Sequence, residues 1–349
     1  MTDISPTPTR RSVLMGGAAT ALASALPAGA SGWDPSLRYP DPAIEILDES
    51  FLKYRIFNAS VERLATGYRW AEGPVWIGDG RCVLFSDIPN NQMIRWDEVT
   101  GQASVFRAPA GYSNGNARDR EGRLLTCEGG MRRVTRTEFS GEVTIIADSF
   151  EGKPFNSPND LVCTSDGAIW FTDPPFQISN DYEGHKAEPE LPHSLYRISP
   201  DGVLQQVLDD IAGPNGLCFS ADEATLYIVE GRAQPNRLVW AFSVGADGAL
   251  SEKRVQVEAL NHGALDGIKC DVDGNLWCGW GSSGVPEGDP EALDGVMVFN
   301  PEGKPIGHIR LPERCANLCF GGAKGNRLFM TACHSLYSLY VNTRGTGLL

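Results

Sequence analysis

Six polar residues at the start of predicted strands could together bind a cation: Glu72, Asn114, Asn159, Asn215, Asp266 and Asn317. Asn and Asp are depleted in strands, yet every one of these positions carries a side-chain oxygen. Hard divalent cations prefer carboxylate and amide oxygens, and a set without His or Cys argues against zinc. The alternative is that these side chains only cap strand ends through local hydrogen bonds, which explains Glu72 poorly.

Each of these residues opens a predicted β-hairpin, and the repetition of that hairpin indicates the architecture. In the copy that begins near Asp266, a tight turn at Asp273-Gly274 leads into a return strand. Asp-Gly between alternating apolar runs is a strong hairpin signal, because Gly adopts positive φ without steric cost. Return strands are predicted at 82–87, 123–128, 168–173, 225–230, 275–280 and 327–332. Six copies at a spacing of roughly 40 to 57 residues are typical of a β-propeller.

Third and fourth strands complete the repeats. Third strands are predicted at 92–97, 132–139, 194–199, 237–244, 295–300 and 335–341, and fourth strands at 103–108, 143–147, 203–208, 254–259 and 305–311. The sixth repeat has no fourth strand of its own, and a strand at 61–66 would supply it, closing the ring and removing two sheet edges. The predicted fold is an all-β, six-bladed β-propeller with four antiparallel strands per blade, formed by residues 61–349 as a single domain.

The propeller is the element that must position the six polar residues. The first strand of each blade lines the central channel, so equivalent positions on these strands converge on the axis. Two polar insertions, at 176–192 and 282–294, would lie on this scaffold as candidate binding loops. His185 and His193, within and beside the first insertion, are candidate proton carriers, although a loop histidine is more often a surface residue.

Composition restricts the partners. The 349-residue chain is 42% apolar and carries a formal net charge of −14. Binding to nucleic acid phosphates requires clustered Lys and Arg, so the acidic balance argues against nucleic acid. The nine cysteines include no C-x-x-C pair and are expected to be buried thiols. Cys270 and Cys278 share a hairpin, and whether they form a disulfide stays open.

The first 30 residues are predicted to be a twin-arginine signal peptide. The sequence TRRSVLM at 9–15 is followed by a Gly/Ala/Leu-rich stretch and by a small-residue cleavage site at Ala28-Gly29-Ala30. We expect a bacterial protein that the twin-arginine export machinery carries, already folded, to the periplasm or outside the cell. No later apolar run is long enough to span a membrane, so the mature chain is expected to have no membrane partner. Residues 31–60, which are Pro-rich and irregular at first and then mixed, are predicted to be a linker and an arm packed on the body of the domain.

Five motifs resemble the SMP-30/regucalcin/gluconolactonase/luciferin-regenerating family, and bacterial gluconolactonases above all. They are AEGPVW at 71–76, NSPNDL at 156–161, FTDPPF at 171–176, PNGL at 214–217 and LDGI at 265–268. The resemblance, which extends from about residue 61 to about residue 345, implies a six-bladed propeller with one divalent ion, usually Ca²⁺, in its channel; Zn²⁺, Mn²⁺ and Mg²⁺ are alternatives. Animal members carry Arg where this chain has Ser157, which leaves their sugar preference open here.

The resemblance also assigns roles to individual residues. It implies that Glu72, Asn215 and Asp266 bind the metal, that Asn159 helps to bind the metal or the substrate, and that Asp266 is the proposed general base. The expected reaction is hydrolysis of a sugar lactone, such as an aldonolactone of the gluconolactone kind, to its aldonic acid. The ion would act as Lewis acid on the lactone carbonyl. Asn114, Asn159 and His193 are the expected substrate-binding residues.

Three other functions remain open on the same scaffold. A phosphotriesterase would use the same oxygen-ligand ion, so the six residues do not separate it from a lactonase. A propeller resembling strictosidine synthase would need no metal, which fits the pair Glu72 and Asp266 less well. A non-catalytic binding module with a structural calcium ion would depend on metal for folding and show no turnover.

Overall fold

The structure is a computed structural model, and it describes residues 34–260, 263–282 and 290–347. The predicted signal peptide lies outside the described residues, as does most of the predicted insertion at 282–294. Within the described part of the chain, none of the helices is long and apolar enough to cross a membrane.

Six antiparallel sheets form the blades, which confirms the predicted six-bladed, all-β propeller. From the channel outward, blade 1 consists of Ala71–Ile77, Cys82–Asp87, Gln92–Asp97 and Ala103–Arg107. Blade 2 consists of Ser113–Arg118, Leu124–Glu128, Arg133–Thr137 and Val143–Ala147. Blade 3 consists of Leu161–Cys163, Ile169–Asp173, Ser194–Ile198 and Leu204–Leu208. Blade 4 consists of Pro214–Phe219, Thr225–Glu230, Leu238–Val244 and Leu250–Glu258. Blade 5 consists of Gly263–Cys270, Leu276–Ser282, Gly295–Phe299 and Pro305–Arg310. Blade 6 consists of Cys315–Gly321, Arg327–Ala332, Ser335–Tyr340 and Glu62–Thr66. A short ribbon, Ser149–Phe150 with Lys153–Pro154, follows blade 2.

The ring closes through a strand from the beginning of the domain, as predicted. Glu62–Thr66 pairs antiparallel with Ser335–Tyr340 and forms the outer strand of blade 6. This pairing gives blade 6 its fourth strand and covers the edge of Ser335–Tyr340, since the described residues after 340 contain no further strand.

The segment before the propeller packs on its body, as predicted for the arm, and it contains a short strand and a short helix that the sequence analysis did not predict. Ile44–Ile46 pairs with Pro305–Arg310 and adds a fifth strand to blade 5. A 3-10 helix, Glu49–Lys53, follows it and places Phe51 against the indole of Trp277, with 5.9 Å between ring centroids. Phe51 is 1% exposed, so burial of apolar surface holds this segment on blade 5.

Five of the six innermost strands contain a β-bulge, which the sequence did not predict. In blades 2, 4 and 5 the register shift contains the dipeptides Asn114-Gly115, Asn215-Gly216 and Asp266-Gly267. In blade 1 the shift directly follows Glu72. A bulge turns a side chain out of the regular alternation of a strand, so the bulges bear directly on where these polar side chains are aimed.

The hairpin that contains Asp266 forms as predicted, and its two cysteines are not paired. Cys270 lies opposite Leu276, and Cys278 lies opposite Ile268. All nine cysteines are free thiols, and seven of them are buried. They therefore act as small apolar side chains between and within blades.

Candidate active site

A cavity of about 210 Å³ lies at the end of the channel where the innermost strands begin. It brings together five of the six predicted polar residues. Its lining consists of Trp70, Glu72, Ile88, Asn114, Asn159, Phe176, Gln177, Glu183, Asn215, Gly231, Arg232, Arg237, Asp266 and Arg314. A second cavity, of about 140 Å³, lies where the innermost strands end, and it contains none of the six.

Glu72 is a buried carboxylate at the base of this cavity. Its Oε2 accepts hydrogen bonds from the Gly73 amide at 2.6 Å and from Asn317 Nδ2 at 3.1 Å. Burial raises the pKa of Glu72 well above its usual value, and the nearby charges of Asp266 and Asp160 raise it further. A bound cation would offset the repulsion between the Glu72 carboxylate and these charges.

Asp266 is the second carboxylate of the cavity and forms an ion pair. Its Oδ2 lies 2.8 Å from Arg314 Nη2. Burial raises the pKa of Asp266, while the charges of Arg314 and Arg237 and a hydrogen bond from Asn215 act in the opposite direction. The carboxylate is therefore held in one orientation, with its ionised form partly stabilised.

Asn317 lies beneath the cavity and connects two carboxylates. Its Nδ2 donates to Glu72 Oε2 and also lies 3.4 Å from Asp160 Oδ2. Asp160, which the sequence analysis did not single out as a site residue, is 2% exposed, and Lys269 Nζ lies 3.8 Å from its Oδ2. Asn317 is thus part of the support of the site, whereas the other five residues line the cavity.

Asn159 is fixed by its backbone. Its amide donates to the Thr172 carbonyl at 2.8 Å, and its carbonyl accepts from the Gly115 amide at 2.8 Å. A Cβ added at Gly115 would lie 2.6 Å from the Asn159 carbonyl oxygen, so only Gly permits this approach. Among the described residues the Asn159 side chain makes no hydrogen bond, which leaves its amide group for a ligand.

The insertion at 176–192 forms one wall of the cavity. Gln177 is 1% exposed, and its Nε2 donates to the carbonyls of Tyr112 and Glu183, both at 2.8 Å. Its Oε1 accepts from Asn114 Nδ2 at 3.2 Å. The insertion therefore positions Asn114 and brings the Glu183 carboxyl into the lining, where burial and then the Asp266 charge raise its pKa.

The two histidines are placed outside the lining as the structure describes it. His193 Nδ1 accepts a hydrogen bond from the Gly213 amide at 3.1 Å, and burial, followed by the Arg232 charge, lowers its pKa. His185 packs edge-on against Tyr112, with 5.2 Å between the rings. His193 is not among the residues that line the cavity, and its role in binding substrate stays a prediction.

The sequence analysis missed three arginines of the cavity, Arg232, Arg237 and Arg314. They lie just outside strands, in the loop after Thr225–Glu230 and directly before Cys315–Gly321. No repeat marks these positions. In the sequence, the only feature that marks them is that each lies near the end of a strand at the same face of the propeller.

The donor set determines whether the cavity suits a metal. Within residues 34–260, 263–282 and 290–347, no group of three or more His, Cys, Asp and Glu side chains is arranged to hold an ion. An ion in this cavity would therefore need amide oxygens beside Glu72 and Asp266, and Asn159 and Asn215 lie in the same lining. Two carboxylates and two amides suit a hard divalent cation rather than zinc.

Comparison with known proteins shows the family and the fold of the chain. Residues 70–334 match the family model described as SMP-30/Gluconolactonase/LRE-like region. A gluconolactonase of Zymomonas mobilis is 31% identical over 312 residues, which cover 82% of this chain and 83% of that protein. The solved structure of a gluconolactonase from Xanthomonas campestris is 36% identical, with a TM-score of 0.76, and covers 85% of this chain and 94% of that one. A calcium-binding regucalcin from Agrobacterium tumefaciens shares the fold, with 20% identity, a TM-score of 0.66 and coverage of 82% and 95%.

Proposed function

The chain belongs to the SMP-30/gluconolactonase/LRE-like family, and from this premise we propose that it hydrolyses a sugar lactone to its open-chain acid. Relatives named gluconolactonase, at 31% and 36% identity over most of the chain, support a lactone hydrolase. The observation that carries the proposal is the convergence of Glu72, Asn159, Asn215 and Asp266 on one cavity. An aldonolactone of the gluconolactone kind is the proposed substrate.

We propose that the same four side chains hold one divalent cation, most simply Ca²⁺. The raised pKa of Glu72 beside Asp266 and Asp160 supports this, because a cation would offset the repulsion among buried carboxylates. When bound, the cation would supply Lewis acidity to the lactone carbonyl.

The chain's own residues would orient the substrate and move one proton. Asp266 would accept the proton of the attacking water through its carboxylate, and the Arg314 ion pair would keep that carboxylate in place. The free amide of Asn159 would donate to the developing oxyanion or to a sugar hydroxyl. Asn114, held by Gln177, has a second N–H and its Oδ1 for a hydroxyl of the substrate.

The test of this function is hydrolysis by the protein lacking residues 1–30. Acid release would be followed from glucono-δ-lactone and a xylonolactone, and nitrophenol release from paraoxon, with chelator and after calcium is added back. Lactone opening that chelator abolishes and calcium restores is the expected result. Turnover of paraoxon alone would indicate a phosphotriesterase. No turnover, with calcium still raising the melting temperature, would indicate a binding module with a structural ion.

We also propose that residues 1–30 direct export through the twin-arginine machinery to the periplasm or the medium, and that residues 61–349 are the exported propeller. Cell fractionation tests this. Replacing Arg10 and Arg11 by Lys should retain the protein in the cytoplasm, while the same exchange at Arg38 should not. Equal export of both variants would contradict the proposal.

A further inference from the structure

Three arginines line the candidate active site beside Asp266, and the proposed lactone hydrolysis does not account for all of them. Arg232 and Arg237 lie in the loop of blade 4 that follows Thr225–Glu230, and Arg314 precedes the innermost strand of blade 6. Blades 4 and 6 flank blade 5, which carries Asp266. The guanidinium groups therefore occupy the wall on both sides of the proposed general base.

These guanidinium groups are incompletely paired. Arg314 binds Asp266 through Nη2, but among the described residues its buried Nε has no hydrogen-bond partner. The guanidinium of half-buried Arg237 forms neither a hydrogen bond nor an ion pair with any residue that the structure describes. Arg232 stacks on the Phe176 ring, with its guanidinium carbon 5.1 Å from the ring centroid.

This arrangement is electrostatically costly when the cavity holds a neutral ligand. Burial lowers the pKa of Arg237, and the positive charges of Arg314 and Arg232 lower it further, with Asp266 opposing them. The hydroxyl groups of a neutral aldonolactone cannot neutralise these charges. A carboxylate or phosphate can, because a guanidinium binds either one through two parallel hydrogen bonds.

The positions of the three guanidinium groups indicate that they bind a charged group of the substrate rather than the charge that develops at the reacting bond. Arg314 contacts Asp266, whereas Arg232 is exposed and stacks on Phe176, and the charges of both act on Arg237. Charge that develops during lactone opening is confined to the carbonyl near Asp266. Guanidinium groups that are found both at Asp266 and at an exposed part of the lining instead fit a fixed charge carried farther along the substrate.

We propose that Arg237, with Arg232 and Arg314, selects a sugar lactone that carries an anionic group at the end of its carbon chain, which extends the lactone hydrolysis proposed above. The group is a carboxylate, as in the lactone of a sugar diacid, or a phosphate, as in a phosphorylated aldonolactone. Both present oxygens that a guanidinium can bind in pairs.

Two matched substrate pairs test the proposal and separate the two sources of charge. Glucono-γ-lactone and glucaro-γ-lactone differ only in a terminal carboxylate, and glucono-δ-lactone is compared with its form phosphorylated on the terminal hydroxyl. The wild-type protein should show a kcat/KM at least about tenfold higher for the anionic member of one pair, the size expected for a charge-assisted interaction. The pair that shows the preference identifies the carboxylate or the phosphate as the recognised group.

Variants then assign the preference to the arginines. Arg237→Gln should reduce kcat/KM on the preferred anionic lactone at least about tenfold more than on its neutral partner, and this difference should arise mainly in KM. Arg237→Lys should retain part of the preference, since it keeps the charge but not the paired hydrogen bonds. Arg254→Gln, at an exposed position on the outer strand of the same blade, is the control and should match the wild type on all four lactones.

Two results would overturn the inference. Equal kcat/KM within both pairs would exclude selection of an anion. An equal loss of kcat on neutral and anionic lactones in Arg237→Gln would instead make Arg237 a group that stabilises the reacting carbonyl. If no lactone is hydrolysed at all, the proposed function fails, and calorimetry with glucarate, 6-phosphogluconate and gluconate decides the inference separately. Tighter binding of glucarate or 6-phosphogluconate than of gluconate, which Arg237→Gln removes, supports it. Equal binding of all three overturns it.

Discussion

Two buried carboxylates, those of Glu72 and Asp266, dominate the candidate active site at the scale of single residues. Burial raises the pKa of each, and the charge of Asp266 adds to the effect at Glu72. Arg314 opposes the effect at Asp266 through an ion pair of 2.8 Å. Buried carboxylates whose pKa values are shifted in this way are typical of sites that bind cations or transfer protons.

Asp266→Asn tests the proposed base while keeping the size of the side chain. We expect kcat to fall by about 10² to 10⁴-fold, because an amide cannot accept the proton of the attacking water. The measurement is acid release at saturating lactone, with the melting temperature recorded to confirm folding. Asp209→Asn, an exposed aspartate after blade 3, is the control and should leave kcat unchanged. A near-normal kcat in Asp266→Asn would remove Asp266 from the mechanism.

Asp173 should make the stability of the folded protein depend on pH. Burial raises its pKa to about 8, although the Asn156 amide donates to its Oδ2 at 2.8 Å. An aspartate in the unfolded chain has a pKa of about 4. Between about pH 4 and pH 8 the folded protein therefore holds a proton that the unfolded chain has lost. The contribution of this group to the free energy of unfolding is complete below about pH 4 and is lost as the pH rises towards 8.

Asp173→Asn should remove that part of the pH dependence. Urea unfolding at pH 5 and pH 8 would measure it, and the wild type should lose more stability between them than the variant, by an amount of order a few kcal/mol at most. Asp209→Asn should behave like the wild type. Parallel losses in wild type and Asp173→Asn would show that Asp173 is ionised in the fold.

At the scale of elements, the β-bulges of the innermost strands position the site. In blades 2, 4 and 5 the bulge contains the polar residue and the Gly that follows it. The small residue allows the backbone of the next blade to come close. A Cβ at Gly216 would lie 2.4 Å from the Asp266 carbonyl oxygen and 2.7 Å from the Gly267 Cα. The glycines therefore set the distance between neighbouring site residues.

Gly216→Ala should disturb both stability and catalysis. Because the atoms that the new methyl group would meet are backbone, we expect a loss of about 1–3 kcal/mol in the free energy of unfolding and a displaced Asp266 with lower kcat. Chemical denaturation and acid release would measure these. Gly80→Ala is the control, since a Cβ there meets nothing closer than the Cys82 Sγ at 3.3 Å. Equal behaviour of the two variants would show that the channel tolerates wider spacing.

At the scale of the whole molecule, distant parts of the chain hold the ring together. Glu62–Thr66 completes blade 6, and Ile44–Ile46 extends blade 5. The same N-terminal segment reaches the last strand region, because the Asn342 amide donates to the Tyr54 carbonyl at 2.8 Å. These contacts join residues nearly 300 positions apart, so we expect the propeller to unfold as one unit.

Phe51→Ala tests this long-range anchoring. Removing a ring that is 1% exposed should lower the free energy of unfolding by about 3–5 kcal/mol. Thermal and chemical unfolding would measure the loss, and kcat should stay within about twofold of wild type because Phe51 lies on blade 5 outside the cavity lining. Phe57→Ala, at a 64% exposed position in the same segment, should change neither quantity. A minor stability loss in Phe51→Ala would show that the segment contributes little.

The sequence by itself determined the blade count, most strands and five residues of the cavity. Strands and Asp-Gly turns are local features with a short period, and the sixfold repeat places Glu72, Asn114, Asn159, Asn215 and Asp266 at equivalent positions. Because the first strand of every blade lines the channel, equivalence in sequence becomes proximity in space. The closing strand was predictable for the same reason, since the last blade lacks a partner for its outer edge.

Only the tertiary structure decided which side chains complete the cavity. Arg237 and Arg314 lie 77 positions apart in loops without a repeating pattern, and they come together because blades 4 and 6 flank blade 5. His193 Nδ1 accepts a hydrogen bond from the Gly213 amide, and Asn317 donates to the Glu72 carboxylate from beneath the cavity. The direction of a side chain depends on bulges and on contacts between blades, and both arise from packing of segments that are distant in the chain.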